Sequence, residues 1–136
     1  MSFLRPRPEP DPDSRPYWDA CRQHRLLLQH CADCDAPRFP PGPVCSNCGS
    51  ARHLWKEASG KGRVFSWIVV RHPVPAEVFA SEVPYVVALV ELDEGVRLPS
   101  NIIDCAPEDV SANVPVQVTF DDVAPDLTLV KFRLDN

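Results

Sequence analysis

The chain has 136 residues, of which 44% are hydrophobic and 24% are charged, and its formal net charge is −5. This length suits one compact domain, or one small module attached to a slightly larger one. No apolar run approaches the roughly 20 residues that a membrane-spanning helix needs, which argues against a membrane protein. The N-terminal segment lacks the apolar core of a signal peptide, so we expect a cytoplasmic protein. Because thiols stay reduced in the cytoplasm, paired cysteines indicate a metal site before a disulfide.

The acidic charge balance argues against nucleic-acid binding, because phosphate contacts supply most of the affinity in that class of protein. The charges are unevenly distributed. Residues 31–63 are mainly basic, whereas residues 104–126 contain six acids and no Lys or Arg. Two differently solvated faces would explain this pattern, and a phosphate-binding middle segment is the alternative.

Residues 1–13 alternate proline with charged residues, which predicts an extended arm with no fold of its own. Residues 14–30 are predicted to form a helix followed by the first strand of a ribbon. Ser14 can cap this helix, and Pro16 suits its first turn. The apolar run 26–28, leading directly into a cysteine pair, is typical of such a strand.

Tyr17 and Trp18 lie within the predicted helix. Large aromatic side chains are buried by default, so we predict that both residues anchor the core of the ribbon. A patch that faces a partner protein is the alternative interpretation.

Residues 31–58 carry two Cys-x2-Cys pairs separated by ten residues, Cys31 with Cys34 and Cys45 with Cys48. Four thiolates at tetrahedral corners are the arrangement that zinc takes in closed structural sites. Iron is the alternative metal, because rubredoxin-like sites use the same four ligands. A closed site leaves no coordination position open, so we predict that the metal organises structure and does not activate water.

Residues 59–136 contain five runs that are rich in β-branched and aromatic residues, which predicts five strands. These runs cover residues 64–70, 85–92, 96–103, 114–120 and 127–134. The string Asp93-Glu94-Gly95 signals a hairpin turn, and a proline-containing loop at 72–84 follows the first strand. Five strands in this order predict a small closed barrel, so the predicted fold class is mainly β.

The remaining candidates for catalysis form no recognised motif. Cys21 and Cys105 have no histidine nearby that completes a nucleophile signature, and we predict that both are small buried residues. His30 could replace a metal ligand, but we predict that it lies outside the coordination sphere. With no serine-nucleophile, phosphate-loop or dinucleotide motif in the sequence, we do not expect an enzyme.

Several strings, taken in order, resemble one known family. They cover residues 16–21, 26–29, 39–41, 60–64, 84–88, 101–105 and 131–133, together with the cysteine quartet. The chain thereby resembles the zinc-ribbon plus OB-fold proteins associated with acyl-CoA enzymes, long catalogued as domain of unknown function 35. The resemblance implies an N-terminal helix, a rubredoxin-like zinc ribbon and a five-stranded OB-fold barrel.

The same resemblance implies a function. By this resemblance, the chain would be a non-catalytic accessory subunit that binds and stabilises a thiolase-fold partner, such as a thiolase, an acyltransferase or a steroid side-chain retro-aldolase. In this family the catalytic residue belongs to the partner, and the barrel helps some members to bind acyl-CoA. We therefore expect a zinc ion, a hetero-oligomer active in lipid metabolism such as steroid degradation, and neither a nucleic acid nor a membrane as partner.

A CoA molecule would need cationic and aromatic contacts. The residues that could meet its phosphates through charge-assisted hydrogen bonds are Arg38, Arg52, Lys61 and Arg63. Phe39 or Trp55 could contact adenine or pantetheine. Solvated cations and buried aromatics are the alternative for each residue taken singly. The loop 73–79 is a candidate lid or docking loop, with Phe79 as a possible anchor.

Two other functions compete with the accessory subunit. Zinc ribbons and OB barrels both occur in nucleic-acid-binding modules, although the sequence lacks alternating basic and aromatic residues on its predicted strands. A small electron carrier with iron in the cysteine quartet is the other alternative.

Overall fold

The computed structural model of the protein describes residues 5–135. The helix α1 (Arg15–Arg22) precedes all of the strands. The strands are, in chain order, β1 (Leu27–Cys31), β2 (Pro37–Arg38), β3 (His53–Glu57), β4 (Lys61–Val70), β5 (Tyr85–Leu92), β6 (Arg97–Ile103), β7 (Pro115–Ala124) and β8 (Leu127–Leu134). A four-residue helix, α2 (Ala76–Phe79), lies in the loop after β4, and a 3₁₀ turn (Pro107–Asp109) follows β6. Within the described range, every helix is too short or too polar to cross a membrane.

The strands form two sheets. An antiparallel ribbon sheet has the order β2-β1-β3. The other five strands form a closed barrel in the order β4-β5-β6-β8-β7, and β7 pairs back to β4. The β6–β8 pairing is parallel, whereas the other barrel pairings are antiparallel. The predicted fold class is confirmed: the chain is mainly β, with an N-terminal helix, a ribbon and a five-stranded barrel.

Hydrophobic runs located the barrel strands but not all of their ends. β5 and β8 coincide with the predicted runs, whereas β4 begins three residues earlier, at Lys61. There it pairs with Gln117 of β7. β7 continues past residue 120 because Asp121 and Asp122 pair with β8. A ladder of backbone hydrogen bonds does not require apolar side chains, so polar residues extended both strands.

Alternating side chains fill the barrel. The inward residues of β5 are buried, and they are Val86, Ala88, Val90 and Leu92. Phe132 of β8 is fully buried among them. Tyr17 of α1 and Leu28 of β1 belong to the same apolar cluster, and α1 packs against both β8 and β1. The helix therefore joins the ribbon to the barrel through one shared core.

The start of α1 differs from the prediction. Ser14 makes no side-chain cap, and Asp11 supplies the bonds instead. The Asp11 carboxylate accepts a hydrogen bond from the Ser14 amide at 2.7 Å, and its carbonyl accepts one from the Arg15 amide at 2.9 Å. The Ser14 hydroxyl accepts the Asp11 amide in return. The hydrogen bonds from Ser14 also lower the pKa of the Asp11 carboxyl.

The predicted arm, residues 1–13, is described only from residue 5 onward, and residues 1–4 lie outside the described range. Residues 6–10 form neither helix nor strand. Two ion pairs connect this segment to the barrel region, one from Arg7 to Asp126 at 2.7 Å and one from Arg5 to Glu82 at 3.6 Å. The arm therefore lies against the barrel.

Candidate metal centre

Two turns with the same backbone geometry carry the four cysteines. The amide of Asp35 donates to the carbonyl of Cys31 at 2.9 Å, and the amide of Gly49 donates to the carbonyl of Cys45 at 2.8 Å. Asp35 and Gly49 both have positive φ, +64° and +78°. The left-handed conformation thus occurs at equivalent positions of the two turns. Each Cys-x2-Cys segment needs this left-handed residue to close its turn.

The turns bring the four sulfur atoms into one cluster. The Sγ atoms of Cys31, Cys34, Cys45 and Cys48 all lie within 4.8 Å of one another. Across the two turns, the Cys31–Cys48 and Cys34–Cys45 sulfur distances are 3.5 and 3.7 Å, far longer than a disulfide bond of about 2.05 Å. Four converging thiols with this spacing fit one tetrahedral metal ion, and the donor set is the one that zinc and iron prefer.

Backbone amides favour the negatively charged thiolate form of Cys31 and Cys45. Hydrogen bonds from the amides of Cys34 and Asp33 lower the pKa of the Cys31 thiol to about 6. The amides of Cys48 and Asn47 act in the same direction on the pKa of Cys45. Metal ligands must be thiolates, so these amides favour the form that binds a metal.

Two side chains next to the sulfur cluster, those of Asn47 and His30, make stabilising contacts there but do not belong to the quartet. The Asn47 side-chain amide lies 3.4 Å from the Cys34 sulfur. The Nδ1 atom of His30 lies 3.2 Å from the carbonyl oxygen of Asp35, and His30 is outside the sulfur cluster. His30 therefore buttresses the first turn.

The four predicted phosphate contacts do not converge on one sheet. Arg38 lies in β2 and Arg52 directly precedes β3, whereas Lys61 and Arg63 lie in β4 of the barrel. Arg52 pairs with Asp33 at 2.9 Å, and Arg63 pairs with Glu91 at 2.7 Å.

Sequence reasoning missed a polar clamp inside the ribbon. Gln29 is fully buried, and its side-chain oxygen accepts hydrogen bonds from Arg38 Nε at 2.7 Å and from the Gly42 amide at 2.8 Å. Arg38 Nη2 donates to the Gly42 carbonyl at 2.9 Å. Gln29 and Arg38 thus bind the backbone amide and carbonyl of Gly42, in the loop that leads to the second cysteine turn. The sequence hinted at this contact only through the polar residue Gln29, which directly follows the apolar run 26–28.

Of the two remaining cysteines, Cys21 is buried as predicted, whereas Cys105 is only half-buried. Cys21 is fully buried, and this burial raises the pKa of its thiol to about 11. Cys105 is half-buried, and burial, followed by the charges of Asp109 and Asp104, raises its pKa as well. A thiol with a raised pKa carries little thiolate at neutral pH.

The aromatic candidates make contacts within the protein. Phe39 packs against Tyr17 with ring centroids 5.6 Å apart, so it belongs to the junction between ribbon and helix. Trp55 is half-buried against the core and meets His53 edge-on. Phe79 of α2 packs against Tyr85 at the start of β5.

Two family models match consecutive parts of the chain. Residues 18–53 match the ChsH2 rubredoxin-like zinc ribbon domain, and residues 55–121 match the ChsH2 C-terminal OB-fold domain. The DUF35 domain-containing scaffold protein of Methanocaldococcus jannaschii is 36% identical over 96 residues, which cover 70% of this chain and 67% of that protein. The chain belongs to the DUF35 family. The predicted resemblance is confirmed.

Two longer proteins also resemble the chain. The probable enoyl-CoA hydratase alpha subunit of Thermomonospora curvata is 46% identical over 130 residues, which cover 96% of this chain. The 3-oxo-4,17-pregnadiene-20-carboxyl-CoA hydratase alpha subunit of Mycobacterium tuberculosis is 36% identical over 129 residues, or 95% of this chain. In both cases the match covers only 40% of the longer protein.

Solved structures share the whole architecture. A chain of the Ltp2-ChsH2(DUF35) aldolase superimposes with a TM-score of 0.86 at 44% identity, covering 94% of this DUF35 protein and 98% of that chain. A DUF35-family protein from Sulfolobus solfataricus superimposes with a TM-score of 0.65 at 13% identity, covering 91% and 86% of the two chains. The second match concerns the fold alone.

Proposed function

We propose that this DUF35 protein is a non-catalytic accessory subunit that binds and stabilises a thiolase-fold partner acting on acyl-CoA. The observation that carries this proposal is the match over 98% of a chain from the Ltp2-ChsH2(DUF35) aldolase, at 44% identity. That protein is described as an aldolase that pairs a DUF35 chain with Ltp2. The scaffold name of the Methanocaldococcus relative supports the same role.

The chemistry of the chain supports a role without turnover. Four thiolates would fill the coordination sphere of one metal ion, which leaves no position for substrate or water. Burial raises the pKa values of Cys21 and Cys105, the described cysteines outside the quartet, so neither is an activated nucleophile. The hydratase names of the two longer relatives belong to proteins of which this chain spans about two fifths.

We propose zinc as the metal, held by Cys31, Cys34, Cys45 and Cys48. Zinc would supply no reactive position here and would fix the two cysteine turns of the ribbon, residues 31–58, to each other. Elemental analysis of the purified protein tests this, with one zinc per chain as the expected result. A red protein whose visible absorbance bleaches on reduction would identify iron and favour the electron carrier.

We also propose a supporting contact with the phosphates of CoA. Arg52, Lys61 and Arg63 are better placed for it than Arg38, because Arg38 is engaged in the Gln29 clamp. The exposed side chain of Arg52 and that of Arg63 can exchange one carboxylate partner for a phosphate at modest cost.

The nucleic-acid alternative loses support on the barrel surface. OB folds bind oligonucleotides on the face of their second and third strands, which are β5 and β6 here. In the described structure, the outward residues of these strands include a single cation, Arg97. Its guanidinium pairs with Glu91 and lies 3.7 Å from the ring centre of Phe65. This face therefore offers little to a polyanion.

Affinity purification of the tagged chain from its own host tests the accessory role. We expect a thiolase-fold protein in stoichiometric amount, and we expect that enzyme to be inactive or insoluble when expressed alone. The matched variants are Cys45→Ser, which removes a metal ligand, and Cys105→Ser, which leaves the quartet intact. A chain that cleaves acyl-CoA alone, or that purifies without a companion, would contradict the proposal.

A further inference from the structure

Three neighbouring barrel strands, β4, β5 and β6, present an apolar outer face. The inward residues of β5 are buried, so alternation places Val87 and Leu89 on the outside of the barrel. The strand register sets Ile68 of β4 beside Val87, and Pro99 of β6 beside Leu89. Phe65 joins them at a bulge of β4. We call these five residues the barrel face.

The barrel face is exposed in the isolated chain. Ile68 is 63% exposed and Phe65 is 47% exposed, whereas Trp67 and Val69, on the other side of β4, pack against the core. A groove of about 340 Å³ crosses the face from β4 to β6. Contiguous apolar surface with a polar rim marks an interaction site, whereas single exposed apolar residues do not.

The centre of the barrel face is uncharged, and one end of it is cationic. Residues 65–70, 85–89 and 99–101, which form the centre, include no charged residue. At the end of the face, the guanidiniums of Arg63 and Arg97 share the carboxylate of Glu91, at 2.7 and 3.0 Å. Just beyond this row, Lys61 and Asp93 are joined by a backbone hydrogen bond and carry opposite charges. One positive charge is therefore left at this end.

The size and the charge of the barrel face argue against a second copy of the chain as its occupant. Three strands about 4.8 Å apart, with about 3.3 Å per residue over residues 65–70, give an area of roughly 300 Å². A stable interface needs about 800 Å² from each partner. Two copies that met on this face would also bring the same surplus positive charge to the contact. A different protein can extend the contact past the face and supply a carboxylate to Arg97.

We propose that the barrel face is the docking surface for the thiolase-fold partner, an inference that rests on the proposed function. The matching surface of the partner would carry apolar side chains that enter the groove beside Ile68, with a carboxylate next to them that meets Arg97. Arg97 takes no part in the proposed contact with CoA. The cysteine quartet belongs to the ribbon and lies outside the face.

Copurification from the host tests the barrel face with two matched variants. The probe is the thiolase-fold enzyme that travels with the tagged wild-type chain. Ile68→Asp should lower the amount of copurified enzyme by at least about tenfold, because it removes an apolar contact and buries an unpaired charge. Val44→Asp is the control, since Val44 is 54% exposed but lies in the ribbon. It should leave the amount of enzyme unchanged.

The possible outcomes separate this inference from the accessory function. If the wild-type chain carries no thiolase-fold enzyme, the accessory function fails and the inference fails with it. If the wild type carries the enzyme and a folded Ile68→Asp chain carries as much, only the docking surface is wrong. Equal losses in Ile68→Asp and Val44→Asp would also overturn the assignment to the barrel face. Zinc content and ¹⁵N chemical shifts report the fold of each variant.

A second variant keeps the test decisive if Ile68→Asp does not fold. Phe65→Ala removes an exposed ring from the same face, outside the apolar core, and should lower the amount of copurified enzyme severalfold. A wild-type amount of enzyme on a folded Phe65→Ala chain would overturn the proposal. Analytical ultracentrifugation of the isolated chain tests the other occupant. A wild-type dimer that Ile68→Asp dissociates would show that a second copy covers the face, and the proposal would be wrong.

Discussion

The ribbon and the barrel are stabilised by different interactions. Between Ala32 and Ala58 the only buried residue is Cys45, which is one of the four clustered cysteines. In the barrel, β5 alone buries four apolar side chains, and β8 adds the fully buried ring of Phe132. Apolar burial can therefore fold the barrel, whereas the ribbon depends on coordination and hydrogen bonds to sulfur. Although the ribbon and the barrel share one core, we expect a destabilising substitution in one part to affect that part more than the other.

The largest expected effect is loss of the ribbon in Cys45→Ser. Structural zinc contributes on the order of 10 kcal/mol to the folding of small metal-dependent units, and three thiolates bind it far less tightly. We expect β3 to lose its structure while β5 and β8 remain folded. ¹⁵N NMR distinguishes them, with the indoles of Trp55 in β3 and Trp67 in β4 as reporters.

The control for this variant is Cys105→Ser, which should leave both parts folded and the zinc content unchanged. Cooperative loss of ribbon and barrel together in Cys45→Ser would break the comparison. It would show that Tyr17 and Leu28, which belong to the shared core, couple the two parts into a single folding unit.

Phe132→Ala is the reciprocal experiment in the barrel. Truncating a fully buried ring should cost about 3–5 kcal/mol of unfolding free energy. Urea unfolding of the zinc-loaded protein measures this cost. We expect zinc affinity to stay close to the wild-type value in the folded variant, because Phe132 belongs to an apolar core that contains none of the quartet cysteines.

The matched control for Phe132→Ala is Phe65→Ala. Phe65 is 47% exposed and stacks beneath Arg97, so its loss should cost within about 1 kcal/mol. Equal losses from the two phenylalanines would show that the barrel is not held by its interior.

Features that depend on residues close together in the sequence were predicted best. The run 85–92 is a strand because its β-branched residues suit a half-buried sheet, and the structure forms β5 over those same residues. Likewise, the spacing of Cys31, Cys34, Cys45 and Cys48 brings four sulfurs into one cluster.

The sequence could not predict interactions between distant segments. Lys131 sits at an outward position, which indicates a solvated cation, yet it is only 8% exposed and pairs with Asp121 of the neighbouring strand β7. Arg38 also reads as a free cation, and only the folded ribbon shows that Gln29 and Gly42 hold it. Each difference depends on partners that the local pattern does not contain.

Glycine substitutions test the same comparison between barrel and ribbon, with smaller expected losses of unfolding free energy. Gly62 of β4 pairs with Leu92 of β5, and a Cβ atom at Gly62 would meet the Glu91 carbonyl and approach the Leu92 Cα to 3.0 Å. Because both obstacles are backbone atoms, Gly62→Ala should cost about 1–3 kcal/mol through overpacking. Urea unfolding measures the loss. Gly42→Ala is the control, since open space surrounds that position and its φ is not positive.

The smallest effect is expected at Gly49 in the ribbon, where the difficulty is conformation and not space. A Cβ atom there would meet nothing within 4 Å, but φ is +78°. Gly49→Ala should therefore cost about 1 kcal/mol, measured as a reduced unfolding free energy of the zinc-loaded protein. The equivalent residue of the first turn, Asp35, adopts φ of +64° with a side chain in place.

Asn and Asp tolerate the left-handed region better than other residues that carry a Cβ atom, so Gly49→Asn should cost less than Gly49→Ala. If the two variants are equally stable, backbone conformation is not what requires glycine in the second turn. If Gly49→Ala is as damaging as Gly62→Ala, the left-handed backbone at Gly49 constrains the ribbon as strongly as close packing constrains the barrel. The expected order, with Gly62→Ala most damaging and Gly49→Asn least, would show that close packing constrains the barrel, whereas turn geometry at the sulfurs constrains the ribbon.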